Sequence, residues 1–201
     1  WQDFWLANPC DGPDPDDNAL FMHNASDFTR RMRRHPSIAL YCGRNEGYPP
    51  AALNASLKSL VDDANPGILY IQSSADEGVS GHGPYWAEPA KTYFSKQTGK
   101  LHTGRGMPNV MTYEGLARTF SPEALWPQSE EWGRHDFTQR GAQRGATFNA
   151  MMERAFGKPA DAREFGSLAQ WINYDGYRAM FESGAKYRQG LLIWMSHSCW
   201  P

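Results

Sequence analysis

The chain has 201 residues, enough for one domain with a sizeable core. Its 20 Lys and Arg residues against 22 Asp and Glu residues give a net charge of −2, which argues against nucleic acid or an anionic membrane surface as a partner. No apolar run approaches membrane-spanning length, and three widely spaced cysteines form neither a disulfide framework nor a zinc site. We therefore expect no membrane segment, no metal and no other cofactor.

The first part of the sequence alternates polar loops with apolar segments. Residues 1–5 look like the end of a strand, and residues 8–18 are expected to form a loop because Pro, Gly and Asp dominate them. Ser26 is expected to cap a helix over 27–34. The chain begins without an initiator Met, so we expect it to be a piece of a longer polypeptide.

The stretch 35–46 is the most informative part of the chain. Its apolar run over 38–42 predicts a short strand buried on both faces, as in a parallel sheet. Gly43 is expected to free the backbone just after the strand. Asn45 and Glu46 then lie at the carboxyl end of the strand, where parallel α/β folds keep their catalytic groups. A helix opened by Pro49-Pro50 and a strand over 68–72 complete a βαβ unit.

The remainder of the chain continues the alternation. The Gly- and Ser-rich segment 73–83 is long enough to be a functional loop. The elements expected after it are a short strand near Tyr93-Phe94, a strand over 100–103, a helix starting at Tyr113, a helical turn at 121–124, a helix over 148–156, a longer helix over 165–184 and a last strand over 191–195. Strands that alternate with helices predict an α/β fold, either part of a (β/α) barrel or part of a doubly wound sheet.

The residues of 35–46 resemble the acid/base strand of glycoside hydrolase family 2, in the branch of β-mannosidases and exo-β-glucosaminidases. The matching residues are His35-Pro-Ser-Ile38, the aliphatic strand and Asn45-Glu46. Further matching segments follow in the family's order: 1–4, 83–85 with 93–94, 169–182 and 190–201. The resemblance implies that 1–201 is the C-terminal part, about strands 3/4 to 8, of a TIM (β/α)8 barrel. The parent chain would add the first barrel strands and β-sandwich domains.

The resemblance also implies a retaining exo-β-glycosidase that acts on a β-linked oligosaccharide or glycoconjugate. In that chemistry two carboxyl groups about 5–5.5 Å apart flank the anomeric carbon. Glu46 matches the acid/base, and Asn45 matches the residue that binds the sugar 2-hydroxyl. Four further candidates for substrate binding, for each of which a structural role stays open, are Trp194, Asp3, Tyr85 and His82.

The nucleophile position of the family falls on Gly104, which has no side chain to attack with. Three interpretations stay open: a replacement that disables the enzyme, a pseudoenzyme that binds sugar, or another carboxylate that substitutes. Glu114 and Glu77 are the candidates for substitution, although Glu114 is better explained as a first-turn charge of a helix. We therefore expect hydrolysis to be impaired in this chain.

Several other residues near these positions have two explanations. Arg44 and Arg105 flank the two key positions and either orient carboxylates or substrate, or are solvated charges. His102 and His197 are interpreted as hydrogen-bonding residues because they lack the spacing of metal ligands. Cys42 is expected to be a small buried apolar residue.

Overall fold

The computed structural model describes residues 1–76, 78–95, 99–135, 145–186 and 190–194. Within them the chain is a mixed α/β structure whose strands pair in parallel. It divides into two compact units, Trp1–His82 and Gly83–Pro201.

The first unit is a β-α-β-α-β arrangement. Its elements are β1 (Gln2–Asp3), α1 (Asn18–Met32), β2 (Leu40–Arg44), α2 (Ala51–Ala64), β3 (Leu69–Ser73) and a two-residue strand β4 (Val79–Ser80). Strands β1, β2 and β3 form a parallel sheet in that order, with Tyr41 opposite Gln2 on one side and Tyr70 on the other. Because the strands are parallel, α1 and α2 are the crossover connections, and the carboxyl ends of all three strands lie at one edge.

The core of the first unit lies where α2 packs on the sheet. Leu53, Leu57 and Val61 follow helical spacing and are almost fully buried. Tyr41 is also fully buried, and its ring stacks on that of Phe4 with 5.7 Å between the centroids. Burying a side chain of this size contributes about 1.5–3 kcal/mol, so these residues anchor β1 and β2 to each other.

The helix predicted over 27–34 is wrong at its start, because α1 begins at Asn18. Its N-cap is Asp17, whose Oδ1 accepts from the Leu20 amide at 2.9 Å. Ser26, the predicted cap, lies inside the helix, where its hydroxyl accepts from Arg30 at 2.9 Å.

The predicted strand over 38–42 exists but is displaced toward its carboxyl end, so Gly43 lies within β2 and not after it. The role given to this glycine is therefore also wrong. A Cβ at position 43 would lie 2.9 Å from the Gln72 carbonyl oxygen, 3.0 Å from Pro49 and closer still to the Tyr70 hydroxyl. Glycine is required here by the close approach of neighbouring groups, not by backbone freedom.

The second unit is richer in helix. Its elements are α3 (Ala90–Ser95), β5 (Leu101–Arg105), α4 (Tyr113–Thr119), α5 (Pro122–Leu125), a 3-10 helix (Glu130–His135), α6 (Gly145–Phe156), α7 (Ala162–Ala185) and β6 (Leu191–Ile193). Strands β5 and β6 are parallel, with His102 opposite Leu191 and Arg105 opposite Ile193. Helix α7 packs against α3, α4 and α6, and forms the centre of this unit.

Helix α7 also fixes the chain that leaves β5. Asn173 is buried, and its side chain accepts from the Val110 amide at 3.3 Å and donates to the Pro108 carbonyl at 2.7 Å. Both polar ends of the amide are thus satisfied, as a buried polar group requires. The segment after β5 is held in place by the longest helix of the described chain.

Most elements predicted for the second unit are confirmed, and one is wrong. The segment around Tyr93 is helix α3, not a strand. Two adjacent aromatic residues are a weak strand signal, whereas Pro89 directly before the helix favours a helix start. The predicted strand over 100–103 is β5, which begins one residue later and ends two residues later, so Gly104 lies within the strand. The last strand is confirmed over Leu191–Ile193, and Met195 lies outside the described residues.

Candidate active site

Asn45 and Glu46 directly follow β2, at the edge where the three strands of the first unit end. The Asn45 amide donates to the Leu6 carbonyl, which lies beyond β1, at 3.0 Å. On the other side, the Ser74 amide donates to the Arg44 carbonyl at 3.0 Å. The segments after all three strands are thereby joined, with Asn45 exposed and Glu46 half-buried. The predicted position of this pair at a strand end is confirmed.

Glu46 has a left-handed backbone conformation, with φ 49°. This conformation costs a residue with a side chain about 1–2 kcal/mol. The Glu46 amide donates to the Ser74 hydroxyl at 2.8 Å, and the same hydroxyl donates to Asn45 Oδ1 at 3.1 Å. One serine side chain therefore holds both the strained backbone and the neighbouring carboxamide.

The Glu46 carboxylate is held by a residue from the loop after β1. Asn8 Nδ2 donates to Glu46 Oε2 at 2.8 Å. Neither Asn8 nor Ser74 was singled out from the sequence, where both lie in segments that look like loops. The available signal was their position just after neighbouring parallel strands, whose carboxyl ends meet at one edge.

Arg44 is buried next to this pair, so the interpretation of Arg44 as a solvated charge is wrong. Its side chain is 4 % exposed and forms an ion pair with Asp14. Its Nε donates to the Ala7 carbonyl at 2.8 Å, and Nη1 donates to the Tyr48 carbonyl at 3.4 Å. A buried guanidinium requires such partners, and here they tie the loop after β1 to the segment after β2.

The other two candidates of the first unit lie near the surface. Asp3, at the end of β1, is exposed, and its Oδ2 accepts from Trp1 Nε1 at 3.0 Å. Loss of hydration on its protein-facing side nevertheless raises the pKa of the Asp3 carboxyl, while the Trp1 hydrogen bond opposes this shift. His82 is exposed and follows β4.

In the second unit, the structure brings together Tyr85, Gly104 and Trp194. The Gly83 amide donates to the Gly104 carbonyl at 3.1 Å, and the Gly106 amide donates to the Pro84 carbonyl at 3.0 Å. The Trp194 amide donates to the Arg105 carbonyl at 3.0 Å. The Tyr85 and Trp194 rings contact each other near the end of β5, with centroids 4.9 Å apart and planes tilted by 55°.

Arg105 and His102 of β5 are both buried. Arg105 is 2 % exposed and lies over the Tyr93 ring at 5.4 Å, so the solvated-charge interpretation is wrong for this arginine too. Burial lowers the pKa of His102 to about 4, and the positive charge of Arg105 adds to the effect. The imidazole is therefore neutral at neutral pH, and its Nδ1 has no hydrogen-bond partner among the described residues.

Of the two carboxylates considered as replacements for a nucleophile, only Glu114 is described. It is exposed in the first turn of α4, where its own backbone amide and the Thr112 side chain lower the pKa of its carboxyl. Its Oε1 accepts from Arg163 at 3.4 Å. This is the first-turn charge expected from the sequence. Glu77 and His197 lie outside the described residues.

In the described segments no three or more His, Cys, Asp or Glu side chains come together as a group that would hold a metal ion. No helix in the same segments combines the length and apolar character needed to cross a membrane. Cys42 is buried, as expected.

Solved structures show the class of fold to which this arrangement belongs. The crystal structure of exo-chitosanase CsxA from Amycolatopsis orientalis matches 94 % of this chain and 25 % of its own, with a TM-score of 0.75 and 20 % identity. A variant of that enzyme in complex with PNP-β-D-glucosamine matches with a TM-score of 0.73, over 89 % of this chain and 24 % of its own. The chain thus has the fold of a fragment of a glycosidase catalytic domain.

Sequence relatives of the chain are glycosidases as well. A mannosylglycoprotein endo-β-mannosidase from Lilium longiflorum is 26 % identical over 100 % of this chain and 27 % of its own length. An exo-β-D-glucosaminidase from Arthroderma benhamiae is 23 % identical over 92 % of this chain and 23 % of its own length. No family model matches the chain. The resemblance to the β-mannosidase and glucosaminidase branch of glycoside hydrolases is confirmed, and the chain spans about a quarter of the length of these relatives.

Proposed function

We propose that this chain is the C-terminal part of the TIM-barrel catalytic domain of a retaining exo-β-glycosidase. Its substrate is a β-linked oligosaccharide or glycoconjugate with a terminal mannose- or glucosamine-like sugar. The observation that carries this proposal is the Asn45–Glu46 pair at the carboxyl end of β2, with the carboxylate held by Asn8 and the backbone held by Ser74. Similarity to glycosidases along the whole chain supports the same interpretation.

Each candidate residue has a role in this proposal. Glu46 protonates the oxygen of the leaving group, and Asn45, exposed beside it, donates a hydrogen bond to the sugar 2-hydroxyl. Tyr85 and Trp194 provide an aromatic surface for the apolar face of the sugar ring. Asp3 and His82 supply polar contacts from exposed positions.

Gly104 occupies the position proposed for the nucleophile. A hydrogen atom in place of a carboxylate leaves nothing to form the covalent glycosyl intermediate. Hydrolysis by the retaining mechanism is therefore expected to be very slow in this chain, although sugar binding and leaving-group protonation do not need that carboxylate. Glu114 does not fill the gap, because it serves the first turn of α4.

A second candidate function is carbohydrate binding without turnover, on the same scaffold. The missing nucleophile side chain at Gly104 favours it, as does the close Tyr85–Trp194 ring pair, which suits a sugar-binding surface. The two functions differ in whether Glu46 still delivers a proton to a bound glycoside.

An external nucleophile distinguishes the two functions. The full-length polypeptide is supplied with aryl β-mannosides and β-glucosaminides, with and without formate. If Glu46 is a working acid, formate attacks the anomeric carbon while the aryl oxygen keeps the bond electrons and takes the proton of Glu46. Release of the aryl alcohol then rises with formate concentration, and Glu46→Gln abolishes the rise for poor leaving groups. Sugar binding by calorimetry with no formate-dependent release supports the binding protein and contradicts the glycosidase.

A further inference from the structure

We propose that a cavity in the second unit binds a small neutral molecule that carries a primary carboxamide, through the side chains of Gln128 and Asn149. The cavity has a volume of about 220 Å³ and lies between the turn after α5, helix α6 and the start of α7. It shares no residue with the candidate active site. The inference therefore goes beyond the proposed function, and its test needs no turnover.

The walls of this cavity are mostly apolar. Met152 of α6 and Phe165 of α7 are almost fully buried, and Pro159 between the two helices is buried as well. The half-buried Trp126 ring lies beside that of Phe165, with centroids 5.7 Å apart and planes tilted by 41°. Sites for drug-sized ligands measure about 300–1,000 Å³, so this cavity suits a smaller molecule with an apolar or aromatic body.

The turn that carries Gln128 is fixed by the core of the unit. The Ser129 hydroxyl and Trp132 Nε1 both donate to the Ala124 carbonyl, at 3.0 and 3.2 Å. Trp132 is fully buried, and its ring stacks on that of Phe120 with 4.9 Å between the centroids. Packing of the protein itself therefore sets the position of Gln128 on the cavity wall.

Gln128 and Asn149 leave one donor and one acceptor unpaired. Asn149 Nδ2 donates to Gln128 Oε1 at 2.6 Å. The other two polar atoms, Gln128 Nε2 and Asn149 Oδ1, are buried and have no hydrogen-bond partner among the described residues. Exchanging nitrogen and oxygen in both amides reverses the bond but again leaves one donor and one acceptor. Unpaired buried polar groups are costly, so a ligand that pairs with both is favoured.

The chemical complement of this pair is a third carboxamide. Two carboxamides can bond to each other twice, but Gln128 and Asn149 form only one of these two bonds. A primary carboxamide carries its oxygen and its N–H₂ group side by side, so its oxygen accepts from Gln128 Nε2 and its N–H donates to Asn149 Oδ1. Both atoms are covered by neighbouring groups, so binding requires the terminal torsions of these two half-buried side chains to turn.

The exposed side of the cavity favours a neutral ligand over a charged one. Glu153 and Lys158 line it there, and both are exposed. Their opposite charges attract neither an anion nor a cation on balance. A carboxylate, which has the shape of a carboxamide but no N–H, would also place an acceptor against Asn149 Oδ1.

Benzamide and benzoate, which have the same shape and differ in their hydrogen-bond donor, test this inference by calorimetry and NMR on the full-length polypeptide. We expect benzamide to bind at least about tenfold more tightly than benzoate. The Met152 methyl resonance should shift with benzamide, which locates the ligand in this cavity. Equal binding of the two compounds, no binding of benzamide, or an unshifted Met152 resonance overturns the inference. A glutamine-containing tripeptide that binds more tightly than benzamide assigns the cavity to a peptide side chain and overturns the small-molecule ligand.

A matched pair of variants tests the role of the two amides. In Asn149→Asp the Gln128 amide donates to the carboxylate, so that only acceptors remain for the ligand, and benzamide affinity should fall at least about tenfold. Asn18→Asp makes the same chemical change at an exposed position of α1 and should leave the affinity unchanged. If Asn149→Asp does not fold, Gln128→Glu removes the donor from the same pair and should give the same loss. Unchanged benzamide affinity in a folded variant of this pair overturns the inference, whatever the outcome for glycoside hydrolysis.

Discussion

The chemistry proposed for this chain depends on a few side chains at the carboxyl ends of β1, β2 and β3. Glu46 has a strained backbone. The Ser74 hydroxyl compensates by accepting a hydrogen bond from the Glu46 amide, and it donates one to Asn45 Oδ1. The site is thus organised by groups that do not themselves act on substrate.

Removing the Ser74 hydroxyl therefore tests whether this group maintains the turn at Glu46. Ser74 is 5 % exposed, and Ser74→Ala leaves the Glu46 amide without this acceptor while its backbone strain remains. We expect a loss of unfolding free energy of about 1–3 kcal/mol, measured by thermal unfolding of the full-length polypeptide. Ser56→Ala removes an exposed hydroxyl that donates to the Ala52 carbonyl within α2, and should change stability by less than about 0.5 kcal/mol. Equal effects of the two variants would show that Ser74 does not support the turn.

His102 makes stability depend on pH. Its pKa is about 4 in the folded protein and 6.5 in an unfolded chain, so between these values the unfolded state binds more protons. Stability should therefore fall as the pH is lowered through this window, by on the order of 3 kcal/mol in all. His102→Gln should remove this part of the pH dependence, measured by thermal unfolding between about pH 7.5 and about pH 4. The exposed His23, changed to Gln, is the control, and an unaltered slope in His102→Gln would contradict the assignment.

How far the site could be predicted from the sequence depends on the kind of residue. Asn45 and Glu46 were located because a strand end in a parallel sheet is a positional rule that needs only local pattern. Asn8 and Ser74 depend on which loops lie beside Glu46, and this is set by the register of β1 and β3 against β2. That register cannot be inferred from a local sequence pattern. For the same reason, the sequence did not decide whether Arg44 and Arg105 are buried.

At the scale of elements, the helices were predicted best where their apolar spacing was unambiguous. The spacing of Leu53, Leu57 and Val61 predicted α2 correctly, because a regular 3.6-residue repeat identifies the buried face. The start of α1 was missed because several Asp residues precede it, and any of them is a suitable N-cap. Only the structure shows that Asp17 is the one bonded to Leu20.

Strand β2 provides a prediction about packing. A Cβ at Gly43 would lie 2.9 Å from a backbone oxygen of β3, which cannot move without shifting the sheet. We expect Gly43→Ala to lower the unfolding free energy by about 1–3 kcal/mol. A Cβ at Gly99 would meet no atom within 4 Å, so Gly99→Ala should be close to neutral. A neutral Gly43→Ala in the same thermal measurement would show that β2 and β3 are not this closely packed.

At the scale of the whole molecule, large aromatic side chains of one helix are exposed. Trp171, Tyr174 and Phe181 of α7 are between 50 % and 56 % exposed. Large exposed apolar patches mark surfaces that pack against other protein. This fits the expectation, from the resemblance, of a barrel segment that depends on the rest of its polypeptide.

The isolated segment 1–201 is therefore expected to be poorly soluble, because its sheet edges and apolar helix faces would be open to association. Size-exclusion chromatography and calorimetry of the segment, alone and within the full-length polypeptide, test this expectation. A monodisperse segment that melts cooperatively on its own would contradict the view that it is part of a larger barrel.

We propose Glu46 as the acid/base of a glycosidase whose nucleophile position is occupied by Gly104. The rate of β-mannoside and β-glucosaminide hydrolysis by the full-length polypeptide carrying Gly104→Glu tests this proposal. We expect hydrolysis to rise by at least about 10³-fold over the unmodified protein, and Glu46→Gln in the same background to remove most of the gain on poor leaving groups. A Gly104→Glu protein that folds normally yet hydrolyses neither substrate faster would contradict the assignment of position 104 and the claim built on it.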